Sequence, residues 1–421
     1  MPRPTKRTWK NSDGRVRTSW RVQYKDASGN RRSKDFQRKT GPDGADEFCR
    51  KVERELADGV HVHDRDSVTV EEAADIWLEA VRLGRNGREP AEQSTLDAYE
   101  RHARLHINPY LGGLRLTKVT TPRVVSFREE LLREGRSRAM TKKVLASLSA
   151  IFTEARSRGL IGSNPAEGVT IINSGRHKEE VVIPEREEVR KILDAAFLWI
   201  DEPPRAELIR SNGRKTSQPR IGSGRAQWFY VLLLVMVSTG LRLSEVRGLR
   251  WDDLHFDESG SEGYLKVTQR ADRYNRIGPV KSESAFRRIE LPPEVIEALR
   301  EWQTLCPAGP ENLTFPNMSG RVENQSNMYR RYLTPLLEEC GLADRNPETG
   351  EIEGRYGFHS FRHFRASVLI ASGGDLKEVQ AELGHASAQM TLDTYGHLFD
   401  DEEANARRRK RAKAIFDEVL G

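Results

Sequence analysis

Three short stretches in the C-terminal half of the chain carry side chains suited to chemistry on a phosphodiester. A pair of arginines can bind the non-bridging oxygens of a phosphate through their planar, permanently charged guanidinium groups. A tyrosine phenol can attack the phosphorus, provided that neighbouring groups compensate for its ordinary pKa of about 10. These residue types therefore indicate phosphoryl transfer through tyrosine, if the stretches meet in space. The stretches are residues 238–245, 359–363 and 383–397, and they contain Arg242, His359, Arg362, His385 and Tyr395.

The first stretch follows a segment that is apolar enough to form a buried helix. Residues 227–238 predict that helix, and Gly240 ends it. Arg242 therefore lies at a turn, directly before a new helix that carries Glu245 in its first turn. An arginine at a helix start can present its fork to a phosphate. Taken alone, pairing of Arg242 with a carboxylate is the simpler interpretation.

The other two stretches lie at the ends of predicted helices. The second begins a helix and carries His359 and Arg362 three residues apart, and hence on one face. The third begins where another predicted helix ends at a glycine C-cap. His385 follows that glycine directly, and Tyr395 comes ten residues later. By themselves, these last two residues would also suit an ordinary core.

A lysine between two predicted strands is a further candidate. Residues 264–270 and 287–291 alternate as short strands, and Lys281 lies in the segment between them. A flexible ammonium group on a hairpin can protonate a leaving oxygen. Because a hairpin lysine is ordinarily only solvated, the residues alone leave this role open.

In order and spacing, the three stretches resemble the motifs of the tyrosine recombinase (phage integrase) family. That family has an arginine after Thr-Gly-Leu, a His-x-x-Arg pair, a Leu-Gly-His and a nucleophilic tyrosine, as here in residues 239–242, 359–362, 383–385 and at 395. The resemblance implies that strand joining through a 3′-phosphotyrosine needs no nucleotide cofactor and no metal. The implied roles are phosphate binding for Arg242 and Arg362, active-site histidines for His359 and His385, nucleophile for Tyr395, general acid for Lys281, and support for Glu245.

Length, charge and composition indicate a polyanion-binding protein of two to three domains. The 421 residues carry a net charge of +6, and the first 40 contain 13 Lys or Arg against 3 Asp. No apolar run approaches the roughly 18 residues that span a bilayer. Three cysteines make no disulfide framework. We therefore expect a cytoplasmic protein without a membrane partner, associated with the nucleoid when bound to DNA.

Residues 1–62 are predicted to form a small β-sheet packed on a helix. Strands are expected over 15–24 and 31–36 and a helix over 43–56, with a polar linker near 58–67. A basic β-ribbon can enter the major groove of DNA, although a solvated basic face is the simpler alternative. The candidate DNA-binding residues of this domain are Arg17, Arg21, Lys25, Arg31 and Arg32.

The rest of the chain is predicted to be mainly α-helical, with small β-sheets. Residues 67–168 predict a helical bundle, with Lys142 and Lys143 as candidate DNA contacts near a helix start. Residues 169–183 form a linker, and 184–421 a mixed α/β, mainly helical catalytic domain that ends in a tail helix over 404–420. The resemblance implies an arm-type DNA-binding domain, a core-binding (SAM-like) domain and the catalytic domain, in that order.

This layout resembles an integrase that binds both core and arm attachment sites on double-stranded DNA. The resemblance implies integration and excision of a phage or mobile element by a homotetramer on DNA, with a directionality factor or a host DNA-bending protein as possible partners. Two alternatives remain: a type IB topoisomerase-like enzyme, which would use the same site without pairing DNA sites, and a catalytically silent DNA-binding regulator. The tail helix has an apolar side, and the resemblance implies that such a tail docks on a neighbouring protomer. This favours recombination over the topoisomerase-like alternative.

Overall fold

The chain folds into two units, Met1–Arg176 and His177–Gly421. Most of the predicted tail helix, Lys281 and most of the predicted linker lie outside the described residues. Within those residues, no helix is both long enough and apolar enough to cross a bilayer. The computed structural model describes residues 2–13, 15–26, 29–57, 61–64, 66–171, 181–202, 207–209, 215–217, 222–280, 282–399, 410, 413 and 417.

A three-stranded antiparallel sheet packed on one helix begins the first unit. Strand order is β1-β2-β3, and the core lies between β2 and α1, where Val22 and Val52 are fully buried. The alternation of β2 and β3 was visible in the sequence. Strand β1 was not, because its residues are almost all polar and exposed. The elements are β1 (Arg3–Lys10), β2 (Val16–Lys25), β3 (Arg31–Phe36) and α1 (Ala45–Ala57).

The strand register sorts the basic side chains of this sheet onto two faces. Directly paired residues of antiparallel strands share a face, and Trp20, Val22 and Tyr24 face α1. Arg32 pairs with Tyr24 in the register and so lies on the α1 side, apart from the other four candidate DNA contacts. We call the opposite side the open face; it carries Arg3, Arg7, Trp9, Arg17, Arg21, Lys25 and Arg31.

The polar segment after α1 is docked along the part that the structure describes. The side chain of His61 is buried, and its ring nitrogens lie 2.7 Å from Glu55 Oε2 and 2.8 Å from Tyr24 Oη. Arg32 donates to Asp26 (2.8 Å) and to Asp66 of this segment (2.5 Å). These contacts hold the segment against the sheet domain.

One carboxylate of this segment joins the sheet domain to the helices that follow. Asp64 Oδ2 accepts hydrogen bonds from Lys34 of β3 (3.0 Å) and from Lys118 of the helical part (2.7 Å). Burial opposes ionisation, but the bonds from Lys118 and Lys34 outweigh it and hold the pKa of the Asp64 carboxyl well below its usual range. We call Lys34, Asp64 and Lys118 the interdomain clasp.

Four helices complete the first unit, as the periodicity of the sequence predicts. Thr69 caps α2 through a capping box with Glu72, and α3 continues into a π-helical segment, Ala103–Gly112. Trp77, Phe127 and Phe152 lie in the core, whereas Lys142 and Lys143 are exposed near the start of α5. The helices are α2 (Val70–Leu83), α3 (Gln93–His102), α4 (Thr121–Arg133) and α5 (Arg138–Ser157).

The second unit is built around α7, a helix that is apolar on all sides and therefore buried. Its N-terminal half is α6 (Arg186–Asp201), β4 (Glu207–Ile209), β5 (Lys215–Ser217), α7 (Ser223–Thr239), α8 (Leu243–Gly248), β6 (Leu254–Phe256), β7 (Gly263–Val267), β8 (Gln269–Ala271), β9 (Ile277–Pro279) and β10 (Arg287–Glu290). Strands β10-β7-β6 form an antiparallel sheet, while β4-β5 and β8-β9 are two-stranded hairpins.

Helices α12, α13 and α14 form a second, smaller core in this unit. Ala366 and Ile370 of α12, Val379 and Leu383 of α13, and Tyr395 of α14 are buried together. The three sequence stretches therefore converge at the ends of α7, α12 and α13. The C-terminal half is α9 (Pro293–Leu305), α10 (Gln325–Met328), α11 (Thr334–Glu339), β11 (Ala343–Arg345), β12 (Ile352–Gly354), α12 (Phe358–Ala371), α13 (Leu376–Leu383) and α14 (Ala388–Phe399), with β11 paired to β12.

Candidate active site

Arg242 is held at the start of α8 by its own helix. Helix α7 ends at Gly240, which has a φ of 65° and whose missing side chain leaves room for Arg365 and Leu383. Glu245 then accepts from the backbone N–H of Arg242 (2.9 Å) and from its Nη1 (2.7 Å). The carboxylate thus fixes both the helix start and the direction of the guanidinium, whose side chain stays 31% exposed.

A second arginine, Arg287, also binds Glu245, although it was not among the predicted site residues. Arg287 Nη2 donates to Glu245 Oε2 (2.8 Å), and its Nε donates to the carbonyl of Glu382 (2.8 Å). Burial opposes the charge of Glu245, yet Arg287 and then Arg242 lower the pKa of its carboxyl. The alternation of β10 contained the signal, because Arg287 lies on the same side as the buried Ile289.

Arg362 joins the three stretches. Its side chain is 1% exposed; Nη1 donates to the carbonyl of Gly240 (2.9 Å) and Nη2 to that of Leu383. Arg242 Nη2 reaches the carbonyl of Gly384 (3.2 Å). Burial, followed by the charge of Arg242, lowers the pKa of Arg362 to about 9, which still leaves the group cationic at neutral pH. The structure thus brings together two guanidinium groups that the sequence separates widely.

His385 lies beside the tyrosine helix and is tied to it. Its Nδ1 is 2.9 Å from Oγ1 of Thr391, one turn before Tyr395 on the same helix. The imidazole ring is nearly parallel to the Tyr395 ring, at an interplanar angle of 9° and a centroid distance of 6.5 Å. Burial, then the charge of Arg362, lowers the pKa of His385 to about 4, so the ring is neutral at pH 7.

Tyr395 is buried, and His363 holds its hydroxyl group. The distance from His363 Nδ1 to Tyr395 Oη is 2.7 Å, and the tyrosine is 1% exposed. Burial raises the pKa of Tyr395 to about 12, although Arg362 and then Arg242 oppose this rise. His363 was not among the predicted site residues. Its place one helical turn after His359 was the available signal.

His359 forms the open edge of the site. It is exposed, and its ring is perpendicular to that of His363 at a centroid distance of 4.6 Å. Partial desolvation and the charge of Arg362 lower the pKa of His359. Lys281, the predicted general acid, lies outside the described residues. Within those residues, no three His, Cys, Asp or Glu side chains are arranged to hold a metal ion.

The two neutral histidines predict a pH dependence of stability. Burial, then His359 and Arg362, lowers the pKa of His363 to about 4, close to that of His385. Between about pH 4 and 6.5 the unfolded chain then binds more protons than the folded one, so stability falls as the pH falls through this window. Thermal unfolding of the full chain from pH 7.5 to 4.5 measures this. His385→Asn should show a shallower dependence; an equal slope in the variant would contradict the assignment.

Comparisons with known proteins show similarity to tyrosine recombinases and integrases. Residues 221–402 match the Phage integrase family. A XerC-like tyrosine recombinase of Caldanaerobacter subterraneus subsp. tengcongensis is 25% identical over 373 residues, covering 83% of this chain and 84% of that protein. The ICEBs1 integrase of Bacillus subtilis strain 168 is 23% identical over 307 residues, covering 71% and 72%. In fold, the chain is similar to a lambda integrase tetramer bound to a Holliday junction (TM-score 0.53, 19% identity, 94% and 95% covered).

The matched residues, 221–402, include Arg242, Arg362 and the residues to which their side chains bond, namely Gly240, Glu245, Leu383 and Gly384. The family match and these relatives define an enzyme that breaks and rejoins DNA strands. Residues 221–402 are a domain of the Phage integrase family, and the chain is similar to tyrosine recombinases over most of its length.

Proposed function

We propose that this recombinase cleaves DNA with Tyr395 and holds the broken strand as a 3′-phosphotyrosine until another strand is joined. The observation that carries the proposal is the bonding of Arg362 to both Gly240 and Leu383, because it assembles three distant stretches around one tyrosine. Arg242 and Arg362 neutralise the non-bridging oxygens as charge builds in the pentacoordinate transition state. Stored bond energy in the phosphotyrosine supports rejoining without a nucleotide cofactor.

The remaining site residues support this chemistry. Glu245 aims Arg242, and Arg287 keeps Glu245 ionised. His385 and His359 flank the arginines and can hydrogen-bond the phosphate as neutral donors. Lys281 stays the proposed proton donor for the leaving 5′-oxygen.

A nicked core site tests the proposal directly. Cleavage next to the nick releases a short strand and prevents rejoining, so the covalent complex accumulates. We expect a protein–DNA adduct on a denaturing gel, with the modified peptide mapped to Tyr395 by mass spectrometry. An adduct at another tyrosine, or none with a verified site, would overturn the proposal.

We further propose that the open face of the N-terminal sheet binds arm-type DNA. Its support is the register, which places Arg17, Arg21, Lys25 and Arg31 on one exposed side together with Trp9, which is 46% exposed. Arg21 is paired with Asp35 at 2.6–2.7 Å, so that bond competes with a phosphate contact. Arg32 lies on the other side of the sheet, where it binds Asp26 and Asp66. Lys142 and Lys143 on α5 are the proposed core-site contacts.

Removing two open-face charges should weaken arm-site binding without affecting the core site. For Arg17→Ala with Arg31→Ala, we expect weaker arm-site affinity and a salt dependence shallower by about two phosphate contacts. Lys6→Ala with Lys10→Ala is the matched control, since these lysines lie on the same sheet but on its other side. Binding titrations at several salt concentrations decide this. Equal effects of the two double variants would leave only a nonspecific charge effect.

The biological setting follows from the same relatives. We propose that the enzyme integrates and excises a phage or other mobile element in the bacterial cytoplasm, acting as a homotetramer with core and arm sites. Support comes from the ICEBs1 integrase and from the lambda integrase tetramer on a Holliday junction. A directionality factor or host DNA-bending protein stays a proposed partner. No observation favours the topoisomerase-like or silent-regulator alternatives; exchange of strands between two attachment sites tests recombination against simple relaxation.

A further inference from the structure

The hydroxyl group of Tyr395 has one bonded neighbour among the described side chains, and that neighbour is not one of the predicted site residues. It is His363, whose Nδ1 lies 2.7 Å from Oη. We propose that His363 is a catalytic residue that orients the Tyr395 nucleophile and accepts its proton as the new phosphorus–oxygen bond forms. This inference rests on the proposed function of Tyr395.

The hydrogen bond runs from the phenol to the imidazole. A buried hydroxyl needs an acceptor, and the described residues offer Oη only Nδ1 of His363. Burial raises the pKa of Tyr395 to about 12 and lowers that of His363 to about 4, so the phenol keeps its proton and the ring stays neutral at pH 7. Tyr395 O–H therefore donates, and His363 carries its own proton on Nε2.

The other groups around the phenol are poorly suited to take its proton. Arg242 and Arg362 are cations without an acceptor atom. The Nδ1 of His385 is engaged with Thr391, and its ring lies parallel to that of Tyr395 at 6.5 Å. His359 contacts the ring of His363 rather than the phenol. His363 is thus the neutral base that touches the reacting atom.

Two hydrogen bonds fix the helix that carries the nucleophile. His363 of α12 holds Tyr395, and His385 holds Thr391 one turn earlier on the same side of α14. The buried Leu383 and Ile370 pack beneath that side. Because both ties involve histidines, Oη is aimed by neutral groups rather than by the arginines.

The proposed step is a transesterification at phosphorus. Oη of Tyr395 forms a bond to phosphorus, and the bond from phosphorus to the 5′-oxygen breaks. The 5′-oxygen leaves with the electron pair and takes a proton from the general acid, for which Lys281 is the candidate. The phenol proton passes to Nδ1 of His363, and the resulting imidazolium faces the bound phosphodiester anion. In rejoining, His363 returns the proton to Oη.

The weakness of this base has a consequence for control. A ring with a pKa near 4 does not ionise a free phenol, and so Tyr395 stays unreactive while no DNA is bound. Transfer becomes favourable only when bonding to phosphorus makes the phenol oxygen strongly acidic. The same pairing therefore protects the nucleophile at rest and relieves it of its proton during attack.

Two substrates with different leaving groups distinguish removal of the Tyr395 proton from protonation of the leaving 5′-oxygen. Single-turnover cleavage of a nicked core site is compared for an ordinary 5′-oxygen and a 5′-bridging sulfur, which leaves without protonation. We expect His363→Phe to slow cleavage on both substrates by about 10²–10³-fold, within the usual range for a proton acceptor. Restoration of the wild-type rate by sulfur would instead place His363 on the leaving-group side and overturn the proposal.

The conservative variant tests the hydrogen bond itself and guards against misfolding. Asn has an amide oxygen near the position of Nδ1, so His363→Asn should orient Oη and cleave faster than His363→Phe, yet slower than wild type. His363→Gln, which places its oxygen further out, should resemble His363→Phe. Should His363→Phe not fold, the Asn and Gln pair carries the comparison; equal rates for these two, or wild-type rates for both, would refute the proposal.

Different results would reject the role of His363 and the role of Tyr395 as nucleophile. A wild-type adduct that maps to Tyr395, combined with unimpaired cleavage by the His363 variants, would reject only the role of His363. Absence of any Tyr395 adduct in the wild type would reject the nucleophile assignment first. Core-site affinity and thermal unfolding are measured for every variant, so that a loss of structure is not taken for a loss of chemistry.

Discussion

Tyr395→Phe abolishes covalent attachment to DNA and leaves core-site affinity within about twofold of wild type; this is the largest effect that we predict. Phenylalanine removes only Oη, the proposed nucleophilic atom. The ring keeps its place in the buried cluster of α12, α13 and α14. His363 loses a partner, and this costs about 1–2 kcal/mol of stability. Adduct formation on a nicked core site, with DNA binding measured in parallel, checks the prediction.

Tyr356→Phe is the matched control for this variant. Tyr356 is also a buried tyrosine of the second unit, and its hydroxyl group donates to Glu188 at 2.6 Å. The same chemical change at Tyr356 removes a partly buried hydrogen bond, but no predicted site residue. We expect normal adduct formation. An adduct trapped by Tyr395→Phe would end the assignment of the nucleophile.

Arg362→Ala should reduce the rate of cleavage by about 10²–10³-fold at saturating DNA, since it removes a charge aimed at the transition state. It should also lower the thermal stability, because the carbonyls of Gly240 and Leu383 lose their buried donor. Arg242→Ala should lose a similar factor in rate with a smaller loss of stability, because its side chain is partly exposed. Single-turnover rates and melting temperatures separate the two effects.

Arg365→Ala serves as the control for both arginines. It lies one turn further along α12, where its guanidinium binds Glu382 at 2.6–2.8 Å. We expect it to change the rate little. If Arg242→Ala or Arg362→Ala weakened only DNA affinity and cleaved normally at saturation, these arginines would be binding residues rather than transition-state ligands.

Much of the site was predictable because its residues lie at helix ends that local patterns mark. The glycine after α7 and the glycine after α13 both end their helices in the left-handed conformation, and Arg242 and His385 follow them within two residues. Arg287 and His363 were missed for a physical reason. Their partners, Glu245 and Tyr395, are distant in sequence, and only the packing of β10 and α14 decides which polar side chain satisfies a buried one.

In the N-terminal sheet, too, local sequence patterns predicted some features, whereas contacts between distant residues decided others. Period-two alternation located β2 and β3, whereas β1 has no apolar side and is recognised only through its pairing with β2. Arg32 looked equivalent to Arg31 in the sequence. Successive side chains of a strand point to opposite sides of the sheet, so Arg31 and Arg32 face different surroundings. Asp66, more than thirty residues later, binds Arg32.

The interdomain clasp changes how the first unit can engage DNA. Because Asp64 binds both Lys34 and Lys118, the sheet domain is connected to the helices that follow it before any DNA arrives. Pre-organisation of this kind lowers the entropy lost when a second DNA segment binds. For the arm-site binding proposed above, this connection would influence the effective concentration of the sheet near its site, so the angle and spacing between two DNA segments would become part of what this recombinase selects.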